Sequence, residues 1–184
     1  AALPNLKPEE NVLILYADTP LIDYKLLERF IEYMPKSHAK VLTVELDNPF
    51  GYGRIVRAQA EKEIISKIIE ETEADDIQKN ITECNTGIIF SSVGVLADLI
   101  SKVKNNNSKN EFYLTDIVGI ANEEGLVIAP LLSKDSDSLL GVNDKCQLEK
   151  TEQIYQKNNR QKFLKQGVTT VSYTHLRAHE TTDN

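Results

Sequence analysis

Asn11-Val12-Leu13-Ile14-Leu15-Tyr16, closing on Asp18 and followed by Thr19-Pro20, is the stretch on which the fold turns. A short unbroken apolar run of this kind reads as a strand buried on both faces, as in parallel sheets. Behind it, Thr19-Pro20 offers a cap and a first-turn proline, and Leu26, Leu27, Phe30 and Ile31 recur at helical spacing up to Met34. The alternation continues outward from there. Apolar runs predict strands over residues 40–46, 55–57, 63–69, 87–90 and 126–132. Helical spacing or capping predicts helices over 74–79, 93–103, 114–122 and 142–166. Strands alternating with helices imply an α/β sheet covered on both faces, with no composition shift to mark a second domain. In open α/β sheets ligands sit beyond the carboxyl ends of the strands, so the strand exits are the places to inspect.

The chain has 184 residues, with 21 Lys and Arg against 28 Asp and Glu, a formal net charge of −7. That balance argues against nucleic acid or an anionic membrane surface as partner, because both need clustered cations. No run of about 18 apolar residues exists to span a bilayer, and Ala1-Ala2-Leu3-Pro4 does not begin a secretory leader. Cys84 and Cys146, two lone cysteines without metal-ligand spacing, suit a reducing cytoplasm. Residues 171–181 follow neither period and resemble the translation of a transposase adaptor used in short-read DNA libraries. Residues 171–184 are therefore set apart as a non-native tail, and 1–170 as the domain. With His175 and His179 in the tail, His38 is left in a polar loop. No histidine triad or zinc site can then be assembled, and no side chain is assigned a catalytic role.

Asp18 at the first strand exit could hold a hard cation over phosphates, or merely begin a turn. Gly51-Tyr52-Gly53-Arg54 would let backbone amides approach a ligand, although a lone Gly-x-Gly is weak evidence beside a plain turn. Glu70 ends one strand, Asn85-Thr86-Gly87 opens another, and Asn143-Asp144 opens the last helix. Carboxylates and amides there can bond sugar hydroxyls or complete a cation's shell. Turn chemistry and helix capping explain the same residues as well.

Their order carries more than any one of them. Tyr-Ala-Asp-Thr-Pro-Leu-Ile (16–22), Leu-Asp-Asn-Pro-Phe-Gly-Tyr-Gly-Arg-Ile-Val-Arg (46–57), Ile-Ile-Glu (68–70), Glu-Cys-Asn-Thr-Gly-Ile (83–88), Asn-Asn-Asn (105–107), Glu-Phe-Tyr-Leu-Thr-Asp-Ile (111–117) and Gly-Val-Asn-Asp (141–144) occur in succession. The series resembles the uridylyltransferase domain of the bifunctional bacterial enzymes that make UDP-N-acetylglucosamine, from about Val12 to Val168. The resemblance implies a Rossmann-like nucleotidyltransferase sheet of the nucleotide-diphospho-sugar transferase type, with its N-terminal part missing. It implies attack of N-acetylglucosamine-1-phosphate on UTP with release of pyrophosphate, in the cytoplasm and with magnesium. Tyr16, Ala17, Asp18, Gly53, Glu70, Asn85 and Asn143 match positions that contact the sugar nucleotide, and Asp18 and Asn143 match the magnesium ligands. The parent would be a homotrimer built through a C-terminal half, and this chain a monomer.

The chain departs from the pattern in three ways. Ala17 stands where the family usually has Gly, which threatens strain if the backbone there is left-handed. Thr72-Glu73-Ala74 replaces a Lys-Asp-Ala block, which removes a cation near Glu70. The family's Leu-Ala-Ala-Gly-x-Gly-Thr-Arg-Met loop and a downstream Pro-Lys, which hold the triphosphate, have no counterpart in the sequence, and neither have hexapeptide repeats. The expectation is a chain without nucleotidyl transfer activity of its own. The alternatives are another sugar-1-phosphate nucleotidyltransferase, or a non-catalytic nucleotide-sugar-binding module.

Overall fold

The computed structural model describes residues 5–58 and 63–169; the adaptor-like stretch 171–181 lies outside them. In chain order the elements are β1 (Asn11–Ile14), α1 (Tyr24–Glu32), β2 (Ala39–Glu45), β3 (Arg54–Arg57), β4 (Ile65–Ile69), β5 (Glu83–Ser92), α2 (Val93–Lys102), α3 (Asp116–Glu123), β6 (Ile128–Ser133) and α4 (Lys145–Lys165). Single 3-10 turns occupy Gln78–Asn80 and Asp137–Leu139. Chain contacts divide the molecule into two compact units, Ala1–Val142 and Asn143–Asn184.

The first unit is one mixed sheet in the order β4-β3-β5-β2-β6, and β1 pairs with β5 beside that path. Among the described residues only β2 and β6 run parallel; the pairings of β5 with β1, β2 and β3 are antiparallel. Since β2 occupies one edge of β5, β1 and β3 must share the other, lying end to end along it. β1 reaches Ile14 opposite Ile89, and β3 begins at Arg54 opposite Cys84. Residues 85–88 of β5 therefore face an interruption in the sheet. The exit of β1 and the entry of β3 both open on it.

Helices cover both faces, as the alternation predicted. On one, α2 and α3 bring Leu96, Leu99, Ile117, Val118 and Ala121 against Val41, Ile55, Ile65 and Ile89. On the other, Leu26 and Phe30 of α1 pack with Leu42, Val44, Cys84, Ile88 and Leu139. Several local expectations change. β1 is partly exposed and antiparallel rather than doubly buried in a parallel sheet. β5 runs for 10 residues through the stretch that reads as a turn. α1 starts later than Thr19-Pro20 suggests, because Asp23 caps it by accepting from the Lys25 N–H, while the Thr19 hydroxyl is spent on the Tyr16 carbonyl. The predicted 74–79 helix shrinks to the 3-10 turn at Gln78–Asn80.

The second unit is built on α4. Asp144 caps it by accepting from the Gln147 N–H at 2.8 Å, and Lys162 and Lys165 stand in the last turn, where cations suit the helix dipole.

Candidate functional site at the gap in the sheet

Four of the residues that the sequence singles out meet at the interruption along β5. The Gly53 carbonyl accepts the Asn85 N–H at 2.8 Å, which seats the glycine loop against the strand. A Cβ on Gly53 would lie 3.6 Å from Glu70 Oε1, 3.6 Å from Asn85 Cβ and 3.1 Å from Ile68 Cγ2. Gly53 is thus the narrow floor between a carboxylate and an amide. From the β1 exit, the Tyr16 ring lies on Gly87, two residues along from Asn85. Burial raises the Tyr16 phenol pKa above 10.0, and the negative charges of Glu70 and Asp18 raise it further.

Each polar group here is held from behind. Glu70 Oε1 accepts from the Thr115 hydroxyl at 2.7 Å. Next to it, burial raises the pKa of Asp116, and the charge of Glu70 adds to the effect. The Asn85 oxygen accepts the Gly87 N–H at 3.0 Å. The glycine loop is tied down by the fully buried Arg54, which donates to Glu71 Oε2 at 2.7 Å and to the Tyr52 carbonyl. Glu71 Oε2 also accepts the Gly51 N–H, and the Tyr52 hydroxyl accepts the Gly141 N–H. Burial works against the Glu71 carboxylate, yet the Arg54 and Gly51 hydrogen bonds and the Arg54 charge hold its pKa below the ordinary 4.5.

Asp18 follows Tyr16 in the same exit loop, where its carbonyl accepts the Val142 N–H at 2.8 Å. Its Oδ1 is buried without a hydrogen-bond partner. An orphaned anionic oxygen is costly to bury, so it calls for a donor or a cation. Among the described residues no cluster of three or more His, Cys, Asp and Glu side chains could enclose a metal ion. Magnesium does not require one, since it keeps waters and takes one or two carboxylates plus substrate phosphates. Asp18 fits such an ion.

Ala17 and Asn143 complete the expected set. Ala17 is exposed, and Asn110 is the non-glycine with positive φ among the described residues, so the left-handed strain feared at Ala17 does not arise. Asn143 belongs to the second unit, where it is exposed and its N–H donates to Gln147 Oε1 at 2.5 Å. Thr72 is exposed beside two acids, Glu71 and Glu73. His38 is more than a solvated loop residue: its Nδ1 accepts the Val127 N–H at 3.0 Å, joining the starts of β2 and β6. Cys84 is fully buried, and desolvation pushes its thiol up to about 11, the state of an inert core residue.

Sequence reasoning missed Thr115 and Gly87, although both lie in stretches that the family resemblance rests on. It also missed a groove of about 880 Å³ that leads from Glu70 past Glu73, Lys102, Lys104 and Tyr113 to Asp116 and Glu124. Of the expected residues only Glu70 lines it. Its walls carry six carboxylates against three lysines, and Lys102 is already paired with Asp98 and Glu124. An acidic wall of that kind repels phosphate, so the groove flanks the site rather than extending it. Among the described residues no helix is long and apolar enough to cross a membrane.

No family model matches the chain. It is 42% identical over 168 residues to the bifunctional protein GlmU of Pseudomonas syringae pv. syringae (strain B728a), covering 91% of this chain and 36% of that protein. It is 39% identical over 170 residues to the bifunctional protein GlmU of Azoarcus sp. (strain BH72), covering 92% and 37%. The chain therefore spans a little over a third of the length of these relatives. In structure it is similar to a putative glucose-1-phosphate thymidylyltransferase from Bacillus anthracis crystallised with sucrose. The TM-score is 0.51 at 17% identity, over 93% of this chain and 60% of that one. The chain is a homologue of the bifunctional protein GlmU over that shared third, on the fold of a sugar-1-phosphate nucleotidyltransferase.

Proposed function

We propose that this chain is the sugar-phosphate half of a uridylyltransferase that joins UTP and N-acetylglucosamine-1-phosphate into UDP-N-acetylglucosamine and pyrophosphate. The observation that carries the reading is the convergence of Tyr16, Gly53, Glu70 and Asn85 at the gap along β5, each on a different segment. A pyranose fits that composition: an aromatic wall, a floor of bare backbone, a carboxylate to accept from hydroxyls and an amide to donate.

In the reaction, a phosphate oxygen of the sugar phosphate forms a bond to the α-phosphorus of UTP as the α–β bond breaks and pyrophosphate leaves. No protein nucleophile is required, and positioning with charge neutralisation supplies the catalysis. Glu70 and Asn85 fix the sugar ring, and Tyr16 excludes water from one of its faces. Asp18 would hold magnesium, which supplies neutralisation of phosphate charge when bound.

Two measurements test the reading. The 184-residue chain, given both substrates and magnesium, is expected to release no pyrophosphate, because it carries no glycine-rich triphosphate loop. Pyrophosphate release would refute that part. Grafted in place of the matching 168 residues of the Pseudomonas syringae protein, the chain is expected to support pyrophosphate release with N-acetylglucosamine-1-phosphate in preference to glucose-1-phosphate. A graft that folds and prefers glucose-1-phosphate would overturn the sugar assignment.

A further inference from the structure

β5 does not run straight past β2. The register goes from Thr43 opposite Asn85 to Val41 opposite Ile89, so β5 spends four residues where β2 spends two. Thr86, Gly87 and Ile88 stand where β2 has only Leu42, a surplus of two residues that makes a bulge inside a continuous strand, and bulges of this kind re-aim side chains. Two hydrogen bonds and one left-handed residue hold it. The Thr86 hydroxyl donates to the Leu42 carbonyl at 2.7 Å in the core. The Asn85 oxygen accepts the Gly87 N–H, and Gly87 takes φ +77°, a left-handed value that a side chain rarely adopts.

Gly87 is also where Tyr16 rests. A Cβ there would stand 2.9 Å from Tyr16 Cζ and closer still to Cδ2 and Cε2. Any side chain at this position would expel the ring. The N–H of Gly87 has a second consequence. An N–H can be met only by the oxygen of an Asn amide, so the bond decides which way Asn85 is turned. Its Nδ2 is thereby turned away from Gly87. On the other side of Gly53, Glu70 Oε1 stands 3.6 Å from where a Cβ would lie and accepts from the Thr115 hydroxyl. An amide and a carboxylate thus flank the gap, separated by a glycine.

We infer that Gly87 is a positioning residue of the sugar site: its bare Cα seats the Tyr16 ring, and its N–H turns Asn85 so that the ligand meets a donor. The matching ligand carries a carbonyl or ring oxygen to accept from Asn85 and a hydroxyl to donate to Glu70, as an acetamido sugar does. This rests on the sugar-phosphate reading above.

The test is a titration of the full chain with N-acetylglucosamine-1-phosphate, followed by amide and aromatic resonances. Asn85→Asp keeps the oxygen that Gly87 needs and exchanges the donor for a charged acceptor. It is expected to hold the wild-type melting temperature and Gly87 amide protection while losing affinity by about tenfold or more. Gly87→Ala is expected to shift the Tyr16 ring resonances and lose affinity to a similar degree. Wild-type affinity in Asn85→Asp, or in a folded Gly87→Ala whose Tyr16 ring has moved, overturns the inference. A wild-type chain that fails to bind defeats the sugar-phosphate reading instead. The positioning claim is then judged on the free chain, where Asn85→Ala must accelerate Gly87 amide exchange and Asn85→Asp must not. Equal exchange in those two variants overturns it.

Discussion

Lys40 is a place where a single substitution would test the fold behind the site. It sits in β2 with 4% of its surface accessible, and its ammonium donates to the carbonyls of Phe30, Ile31 and Tyr33 at 2.8, 2.8 and 2.7 Å. Those carbonyls belong to the C-terminal end of α1, where a helix leaves acceptors without partners and a cation suits the dipole. The ammonium also stands 4.3 Å from the Phe90 ring centroid and 5.4 Å from that of Phe30. Lys40→Met keeps the length of the side chain and removes every one of these interactions.

The cost divides by burial. The bond to Phe30 O is buried, so losing it strands an acceptor at about 1–3 kcal/mol; the other two are partly buried, and water can replace them at about 0.5–1 kcal/mol each. Loss of the aromatic contacts adds about 0.5–1 kcal/mol. Methionine recovers part of this, because burial works against the charge and lowers the Lys40 pKa from its ordinary 10.5. The expected net loss is about 2–4 kcal/mol, a fall in melting temperature of roughly 4–16 °C for a chain of this size. Urea unfolding followed by tyrosine fluorescence measures it, with Lys25→Met on the exposed face of α1 as the control. A Lys40→Met variant within about 0.5 kcal/mol of wild type, or no worse than the control, would refute the reasoning.

Three further outcomes follow from the site. Gly53→Ala puts a methyl between Glu70 and Asn85 and is expected to cost about 1 kcal/mol of stability but at least tenfold in sugar-phosphate affinity; calorimetric titration at wild-type affinity would contradict it. Glu71→Gln takes the countercharge from the buried Arg54, at about 2–4 kcal/mol near neutrality. Because the folded Glu71 pKa is depressed, its contribution is present above 4.5 and lost as pH falls through the folded value, so the gap between wild type and variant should narrow on acidification in urea titrations. Tyr16 has the opposite sign: its folded pKa is raised, so its contribution is full below 10.0 and disappears as pH rises through the folded value. Tyr16→Phe should therefore lose less stability than wild type in an alkaline unfolding series.

What could be read from the sequence was what local pattern decides. Helical spacing placed α2, capping chemistry placed the start of α4, and apolar runs placed β2 and β6, because each signal lies within the element it describes. β1 was found as a strand but given the wrong neighbours. Its partner is the far end of β5, and nothing in Val12-Leu13-Ile14 records whether that partner runs parallel or antiparallel. Asn85-Thr86-Gly87 misled in a more instructive way. It is turn chemistry and it does form a turn, with an Asn oxygen on the Gly87 N–H and a left-handed glycine. The turn is contained within a strand that continues through it, because Glu83 and Cys84 pair with β2 on one side of the bulge and Ile89 to Ser91 on the other. Local reading has no access to that continuity.

The same contrast explains why the candidate site residues can be named before their arrangement can. Tyr16, Gly53, Glu70 and Asn85 are chemically conspicuous types at strand ends or in turns, and an ordered series of such types is visible in one dimension. Their convergence requires β1 and β3 to share one edge of β5 and leave residues 85–88 between them, which is a fact about register. That register also gives Gly87 its meaning. In sequence it is a glycine after Asn-Thr, with many possible reasons to be there. In the structure its missing side chain is the space that the Tyr16 ring occupies, supplied by a segment far away along the chain. A glycine whose function is to be an absence can be recognised only once the group that fills it is known.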